Sequence, residues 1–191
     1  QVATVGAGAV HSYAVTARTD GSFVLAGDTY DVFEGRLVST DGSSDFAVVA
    51  IDEDGEELWR WQDGSGTGNH YFFDCTSLDG GSVVCAGVTE GNWEGPNRGL
   101  TDFAAVRLSA TGVEEWRLQN GTELDDSWSG VSTTSTGSVV FAGSTAGSWV
   151  TPIETTDAGD FAAMSVNEDG LYLWSYQAGT EDIDNWYDMT V

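Results

Sequence analysis

The chain has 191 residues, enough for one domain with an adequate core, and it is strongly acidic. Its 31 Asp and Glu residues are opposed by six Arg and no Lys, which gives a formal net charge of −25 at pH 7. Such a surface excludes nucleic acid and anionic membranes as favoured partners, and no apolar run is long enough to span a membrane.

Taken in order, the chain divides into repeated units. Residues 1–10 are interpreted as the end of a preceding unit, and three similar units follow at 11–69, 70–126 and 127–184. Residues 185–191 match the opening strand of a further unit. The repeat is visible in two markers that recur at intervals of 57 and 58 residues, and such internal repetition indicates an array of supersecondary units. The markers are Asp45, Asp102 and Asp160, and Trp59, Trp116 and Trp174.

Each unit contains four segments that are predicted to be β-strands separated by Gly-containing turns. No segment has the apolar periodicity of a helix. The sequence therefore predicts an all-β protein made of three four-stranded antiparallel repeats. The predicted strands are 12–17, 22–27, 45–51 and 57–62; 72–77, 82–87, 102–108 and 113–119; and 128–133, 138–143, 160–166 and 171–177.

The second and third units resemble the β-propeller repeats known as SBBP, which occur in secreted and cell-surface proteins. The resemblance is carried by residues 102–106, the Thr111-Gly112 turn, 116–122, 125–126 and 137–143. It covers nearly all of residues 11–191, but this chain is richer in Trp than the family and has a longer loop between the second and third strands of each unit. The resemblance implies three propeller blades and the first strand of a fourth, in an extracellular or secretory-pathway protein.

Three blades are too few for a closed ring, because propellers close with about four to eight blades. We therefore expect other protein chains, or further repeats of a longer parent chain, to complete the ring. An opening strand at 185–191 needs such a partner, since an unpaired strand edge favours aggregation. No nucleic-acid partner and no membrane insertion are expected.

An aromatic residue follows, by six positions, the Gly that ends the second strand of every unit. The three residues could form a row of platforms that stack on a sugar or on a partner chain. They could equally seal the edge of each blade, and recurrence in all units favours this packing role. The first alternative would make the chain a carbohydrate- or ligand-binding propeller. The residues are Phe33, Trp93 and Trp149.

Acidic residues cluster in two loops that connect one unit to the next. Clustered carboxylates can bind calcium through six to eight oxygen ligands. No spacing matches an EF-hand and the loop of the first unit lacks the cluster, so solvated acids in turns are the alternative. The calcium candidates are Glu123, Asp125, Asp126, Glu181, Asp182 and Asp184; no other cofactor is expected.

Cys75 and Cys85 flank a turn and are expected to face each other across a hairpin. A pair in this position can form a disulfide if the geometry allows it, or remain two small buried thiols. The disulfide is the prediction, and it would favour an oxidising compartment. Asn120 begins the single N-x-S/T sequon and is the predicted glycosylation site if the chain passes through a eukaryotic secretory route.

Catalytic signatures are lacking. The chain has no G-x-S-x-G elbow, no phosphate-binding loop and no Lys for a Schiff base. His11 and His70 lie near unit boundaries without a recurring Cys or His partner for zinc. The Asp that begins the third strand of each unit is expected to accept hydrogen bonds from loop or neighbouring-blade amides. The prediction is a structural or protein-interaction module that is not an enzyme.

Overall fold

The computed structural model describes residues 9–32, 39–150, 159–180 and 184. These residues contain twelve β-strands in three four-stranded antiparallel sheets, each built from consecutive strands in the order of the chain. Sheet 1 contains β1 (Val10–Ala17), β2 (Phe23–Thr29), β3 (Asp45–Ile51) and β4 (Glu57–Asp63). Sheet 2 contains β5 (His70–Ser77), β6 (Val83–Thr89), β7 (Asp102–Leu108) and β8 (Glu114–Asn120). Sheet 3 contains β9 (Asp126–Thr133), β10 (Val139–Thr145), β11 (Asp160–Val166) and β12 (Tyr172–Ala178).

The all-β class and the four-strand plan are confirmed, and every predicted strand agrees with the structure to within two residues at each end. β9 begins at Asp126, one residue before the expected start of the third unit. The only helical segment in the described residues is a three-residue 3-10 turn at Asp79–Gly81. No helix in this part of the chain is long and apolar enough to cross a membrane. Residues 1–8 and 185–191 lie outside the described residues.

Tight turns fix the pairing between the last two strands of each sheet. In sheet 1, the Gly55 N–H donates to the Asp52 carbonyl over 3.1 Å, and the Asp52 carboxylate accepts the N–H groups of Asp54 and Glu56. Gly55 has a φ of +81°, which a residue with a Cβ rarely adopts. The acidic tetrapeptide therefore forms a hairpin turn, because its side chain and glycine satisfy that geometry locally.

The sheets lie side by side with their first strands adjacent, β1 beside β5 and β5 beside β9. Two apolar clusters fill the spaces between them, one between sheets 1 and 2 and one between sheets 2 and 3. At the centre of the first, Phe46 stacks on Phe72 with ring centroids 4.1 Å apart. In the second, Phe103 stacks on Trp128 with centroids 3.8 Å apart. Sheet 2, which lies between the other two sheets, therefore buries both of its faces.

Candidate functional site

The junction between neighbouring sheets repeats the same contacts at two places. We call these places junction 1–2 and junction 2–3, after the sheets that meet there. At junction 1–2, Trp59 Nε1 donates to the Ala110 carbonyl over 2.9 Å, and the indole lies over Gly112 in the β7–β8 turn. A Cβ at Gly112 would lie 2.7 Å from that ring, so the contact requires glycine. At junction 2–3, Trp116 Nε1 donates to the Glu168 carbonyl over the same 2.9 Å, and its ring covers the glycine of the β11–β12 turn.

The third tryptophan of the series is in a different environment. Trp174 on β12 is 45% exposed, because no further sheet lies against β12 in the described residues. Tyr176, two residues later, is 58% exposed, whereas its equivalents Trp61 and Leu118 pack into the two apolar clusters. The repeat predicts equivalent, largely buried positions for Trp59, Trp116 and Trp174, and this prediction is wrong for Trp174. We call Trp174 and Tyr176 the end face of sheet 3.

An Asp–Gln pair with a buried Asp anchors the long loop of each sheet. In sheet 2, Gln119 Nε2 donates to Asp102 Oδ2 and to the Gly91 carbonyl, each over 2.9 Å. Gln119 Oε1 accepts the N–H groups of Trp93 and Glu94, each over 2.8 Å. Because Asp102 also accepts the backbone N–H of a loop residue, Arg98, its role agrees with the expected one. The same Asp–Gln bond measures 2.8 Å for Asp45–Gln62 and for Asp160–Gln177.

The residue that begins the first strand of sheet 2 is His70, which is fully buried. Its Nε2 accepts the backbone N–H of Ser65 over 3.1 Å, and its Nδ1 lies 2.8 Å from Thr89 Oγ1. Since Nε2 accepts, the neutral ring carries its proton on Nδ1 and donates it to Thr89. Burial lowers the pKa of His70 to about 4. The ring thus links the loop before the strand to the strand beside it in a neutral, hydrogen-bonded form.

Asp126 occupies the equivalent position in sheet 3. Its Oδ2 accepts the N–H and the hydroxyl of Thr122 over 2.5 and 3.0 Å, and Oδ1 accepts the hydroxyl of Thr145. Burial raises the pKa of Asp126 to about 6. The expectation that this residue is a calcium ligand is corrected, because its carboxylate is fully buried and both oxygens are bonded within the protein.

The other calcium candidates do not converge in the described residues. Glu123 and Asp125 are exposed, and Asp184 accepts the N–H and hydroxyl of Thr180 just as Asp126 accepts those of Thr122. No group of three or more His, Cys, Asp or Glu residues is placed to hold a metal ion in this part of the chain. Glu181 and Asp182 lie outside the described residues.

Ser65 and His70 have the composition of a hydrolase dyad, with Ser65 Oγ 3.1 Å from Nε2. The hydroxyl, however, also donates to the Thr67 carbonyl over 2.6 Å, and Nδ1 faces a threonine hydroxyl instead of a carboxylate. The same two positions hold Thr122 and Asp126 at the next junction, where no such chemistry is available. The pair therefore serves as a structural link between loop and strand.

Trp93, one of the predicted stacking residues, is buried at junction 1–2. Its ring centroid is 4.6 Å from that of Phe46, and its Nε1 donates to Asp63 Oδ2 over 3.0 Å. The guanidinium of Arg117 lies 4.8 Å from the centroid and forms an ion pair of 2.7 Å with Asp63. The burial of Trp93 and these contacts agree with the packing role, which the recurrence of the residue favoured over an open stacking platform.

Trp149 packs less completely at junction 2–3. Its centroid is 5.0 Å from Phe103 and 5.7 Å from Trp128, and its side chain is half-buried. With Arg98, Asn120 and neighbouring residues, it lines an open depression of about 860 Å³. Phe33, the third candidate, lies outside the described residues.

Cys75 and Cys85 lie directly opposite each other on β5 and β6, as predicted. Both are free thiols in the structure, so the predicted disulfide is absent. They are buried in the apolar cluster between sheets 1 and 2, where they act as small apolar side chains. Burial, followed by the adjacent Cys75 thiol, raises the pKa of Cys85. The pair therefore gives no support to an oxidising compartment.

Asn120 ends β8 at the rim of the depression. Its Oδ1 accepts the Gly121 N–H over 2.9 Å and Arg98 Nη1 over 3.3 Å. The amide nitrogen, to which a glycan would be attached, has no hydrogen bond within the described part of the chain. Glycosylation at Asn120 stays a prediction.

The chain matches no protein-family model, and the search of curated proteins found no relative.

Proposed function

We propose that the chain is a segment of a β-propeller of the SBBP type, and that it acts as a non-enzymatic structural and protein-interaction module of a secreted or cell-surface protein. The proposal is supported by sheets that follow one another with their first strands adjacent, and by junctions made from the same contacts. The sequence resemblance and the Asn120 sequon favour the extracellular location.

The observation that carries the interaction role is that each end sheet presents one half of a junction. Sheet 3 presents Trp174, the equivalent of the two tryptophans that dock onto a turn. Sheet 1 presents the turn Asp52–Gly55, the equivalent of the two turns that receive them. Gly55 has no atom within 4 Å of an ideal Cβ, whereas Gly112 is covered by an indole. Glu53 occupies the turn position that Ala110 and Glu168 occupy in the other two sheets, where their carbonyls accept the indole N–H groups. The Glu53 carbonyl is therefore the equivalent acceptor.

The two halves are complementary, so a sheet of the same kind fits each end. Such a sheet comes from another protein chain or from further repeats of a longer parent chain. Docking would bury the exposed parts of Trp174 and Tyr176, and burial of aromatic surface of this size is a major source of interface stability.

Sedimentation velocity over a wide range of protein concentration tests the proposal. We expect the wild-type chain to associate as concentration rises, and the double variant Trp174→Ala/Tyr176→Ala to remain monomeric. Tyr172→Ala is the matched control, because Tyr172 is an exposed aromatic on the same strand at a position outside the junction. A wild-type chain that stays monomeric throughout, or association that the double variant retains, would contradict the interaction role of the end face.

The depression beside Trp149 favours a second candidate, a carbohydrate-binding propeller. It combines a half-buried indole with the polar side chains of Arg98, Asn120 and Glu123. Aromatic rings flanked by a few polar groups suit sugar binding. A glycan array would test it: saturable binding lost in Trp149→Ala and kept in Trp174→Ala would favour this function, and no binding to any glycan would remove it.

A further inference from the structure

A cluster of aromatic side chains lies on the first strands of sheets 1 and 2 and on the residue that follows β2, away from the junction contacts described above. Neighbouring ring centroids in it are 5.9 to 6.1 Å apart. Tyr13, Tyr30 and Phe73 remain 51%, 42% and 37% exposed. A contiguous set of exposed rings is unusual on a soluble surface and marks a place where something binds. The members of this aromatic cluster are His11, Tyr13, Tyr30, Tyr71 and Phe73.

Two β-bulges place two members of the cluster, Tyr13 and Phe73. The pairing of β1 with β2 shifts between Ser12 and Ala14, which leaves Tyr13 without a partner in the ladder. The pairing of β5 with β6 shifts in the same way at Phe73. Bulges re-aim side chains and are frequent beside functional sites. Here they bring the two rings to within 5.9 Å of each other.

The fold itself does not require these residues. Sheet 3 has a bulge at the same place, but it carries Ser129 there. The positions of His11 and Tyr71 are held by Ser127 in sheet 3, and that of Tyr30 by Ala146. Residues that pack the junctions recur from sheet to sheet, whereas those of the aromatic cluster do not. Their presence in sheets 1 and 2 is therefore better explained by a ligand than by folding.

Negative charge adjoins the rings. The Asp28 carboxylate is fully buried next to them, 3.2 Å from His11 Nδ1. Burial raises the pKa of Asp28 in spite of its hydrogen bond with His11. Burial and then the charge of Asp28 raise the pKa of Tyr13. Burial is also the main cause of the raised pKa of Tyr71, and the charge of Glu90 adds a smaller contribution. The surroundings of the rings thus disfavour further negative charge and favour positive charge.

We propose that the aromatic cluster binds a small organic cation of the quaternary-ammonium type. The planes of Tyr13 and Phe73 are inclined by 64°, so a trimethylammonium group in the angle between them would lie within about 6 Å of both centroids. The net charge of −25 raises the local concentration of cations.

A sugar is the less suitable occupant. It would need several free hydrogen-bonding groups beside the rings, and the His11 imidazole and the buried Asp28 carboxylate are already bonded to each other over 3.2 Å. A quaternary ammonium has no donor or acceptor to satisfy, and aromatic rings bind it through their electron-rich faces.

Titration of the whole chain with choline chloride, followed by amide chemical shifts at constant ionic strength, tests the proposal. The neutral isostere 3,3-dimethylbutan-1-ol and methyl β-glucoside are titrated in parallel. We expect saturable shifts with choline around residues 11–13, 28–30 and 71–73, and binding of the isostere at least about tenfold weaker.

Tyr13→Ser and Phe73→Ser copy the serine of sheet 3 and should each weaken choline binding about tenfold. Tyr172→Ser, at an exposed tyrosine of β12 outside both the cluster and the end face, is the control and should bind choline as the wild type does. Equal binding of choline and its isostere, saturable binding of the glucoside alone, or shifts that survive both serine variants would each overturn the proposal. No saturable shift with any of the three probes would overturn it as well.

Discussion

His70 is expected to make the fold sensitive to mild acid. Its neutral ring accepts the Ser65 N–H at Nε2, and protonation would place a second proton opposite that donor. With a pKa of 6.5 in the unfolded chain and about 4 in the folded one, the unfolded state binds more protons between these values. Stability is then complete above about pH 6.5 and falls as the pH decreases. The linkage relation gives about 2 kcal/mol lost at pH 5 relative to pH 8.

Urea unfolding of the wild type and of His70→Gln at pH 5, 6, 7 and 8, at constant ionic strength, measures this contribution. The variant should be less stable at pH 8, because it loses bonds to Ser65 or Thr89, but its stability should change by about 2 kcal/mol less between pH 8 and pH 5. The comparison isolates His70 from the repulsion among the 31 acidic residues, which both proteins share.

His11→Gln is the control, since the chain has two histidines and His11 is half-exposed. The His70 contribution should persist in that variant. Proton NMR of the imidazole gives a second measurement that does not depend on unfolding. An imidazole of His70 that titrates near 6.5 in the folded protein, or equal pH slopes in wild type and His70→Gln, would refute the reasoning.

Three further outcomes are expected. The raised pKa of Asp126 means that ionisation of this carboxyl destabilises the folded wild type as the pH rises from 4 to 6. Asp126→Asn lacks this loss, so its stability relative to the wild type should increase over the same interval. Melting temperatures of both proteins between pH 4 and pH 6 would check this. Trp59→Ala should lower the free energy of unfolding in urea by about 2–3 kcal/mol, because the Trp59 indole packs on a turn of the next sheet. Trp174→Ala should lower it by less than about 0.5 kcal/mol in the monomer, because the exposed Trp174 has no such turn among the described residues. A thiol reagent should label Cys75 and Cys85 in urea but not in the native protein, and mass analysis without reductant that finds them joined would contradict the free thiols.

The strands could be predicted from the sequence because their signals are local. Turn glycines such as Gly55 and Gly112 and the runs of apolar residues between them fix the hairpins, and these agree with the structure to within two residues. The Asp–Gln pairs could also be predicted from the sequence, because Asp102 and Gln119 are 17 residues apart and the same spacing recurs in every unit.

Features that depend on a neighbour could not be predicted. Trp59 and Trp174 occupy the same place in the repeat, and only the presence of a following sheet separates their environments. The spacing of the repeat markers does not reveal that His70 and Asp126 are equivalent, because the loops before them differ by one residue in length. A Ser or Thr four or five residues earlier, such as Thr122, is the signal that would have aligned them. A β-bulge does not change the pattern of apolar residues, so the sequence alone predicts Tyr13 to be an ordinary strand residue.

The repetition of one junction makes the array a linear chain of coupled elements. When each element contacts only its neighbours, stability approaches a sum of intrinsic and nearest-neighbour terms, as in a one-dimensional lattice. Sheet 2 has two coupling terms and sheets 1 and 3 have one each among the described residues, so fluctuations that open the backbone should begin at the outer sheets and advance inwards. An additional sheet at either end would convert an end element into an interior one, and its cooperativity would rise without any change in its own sequence.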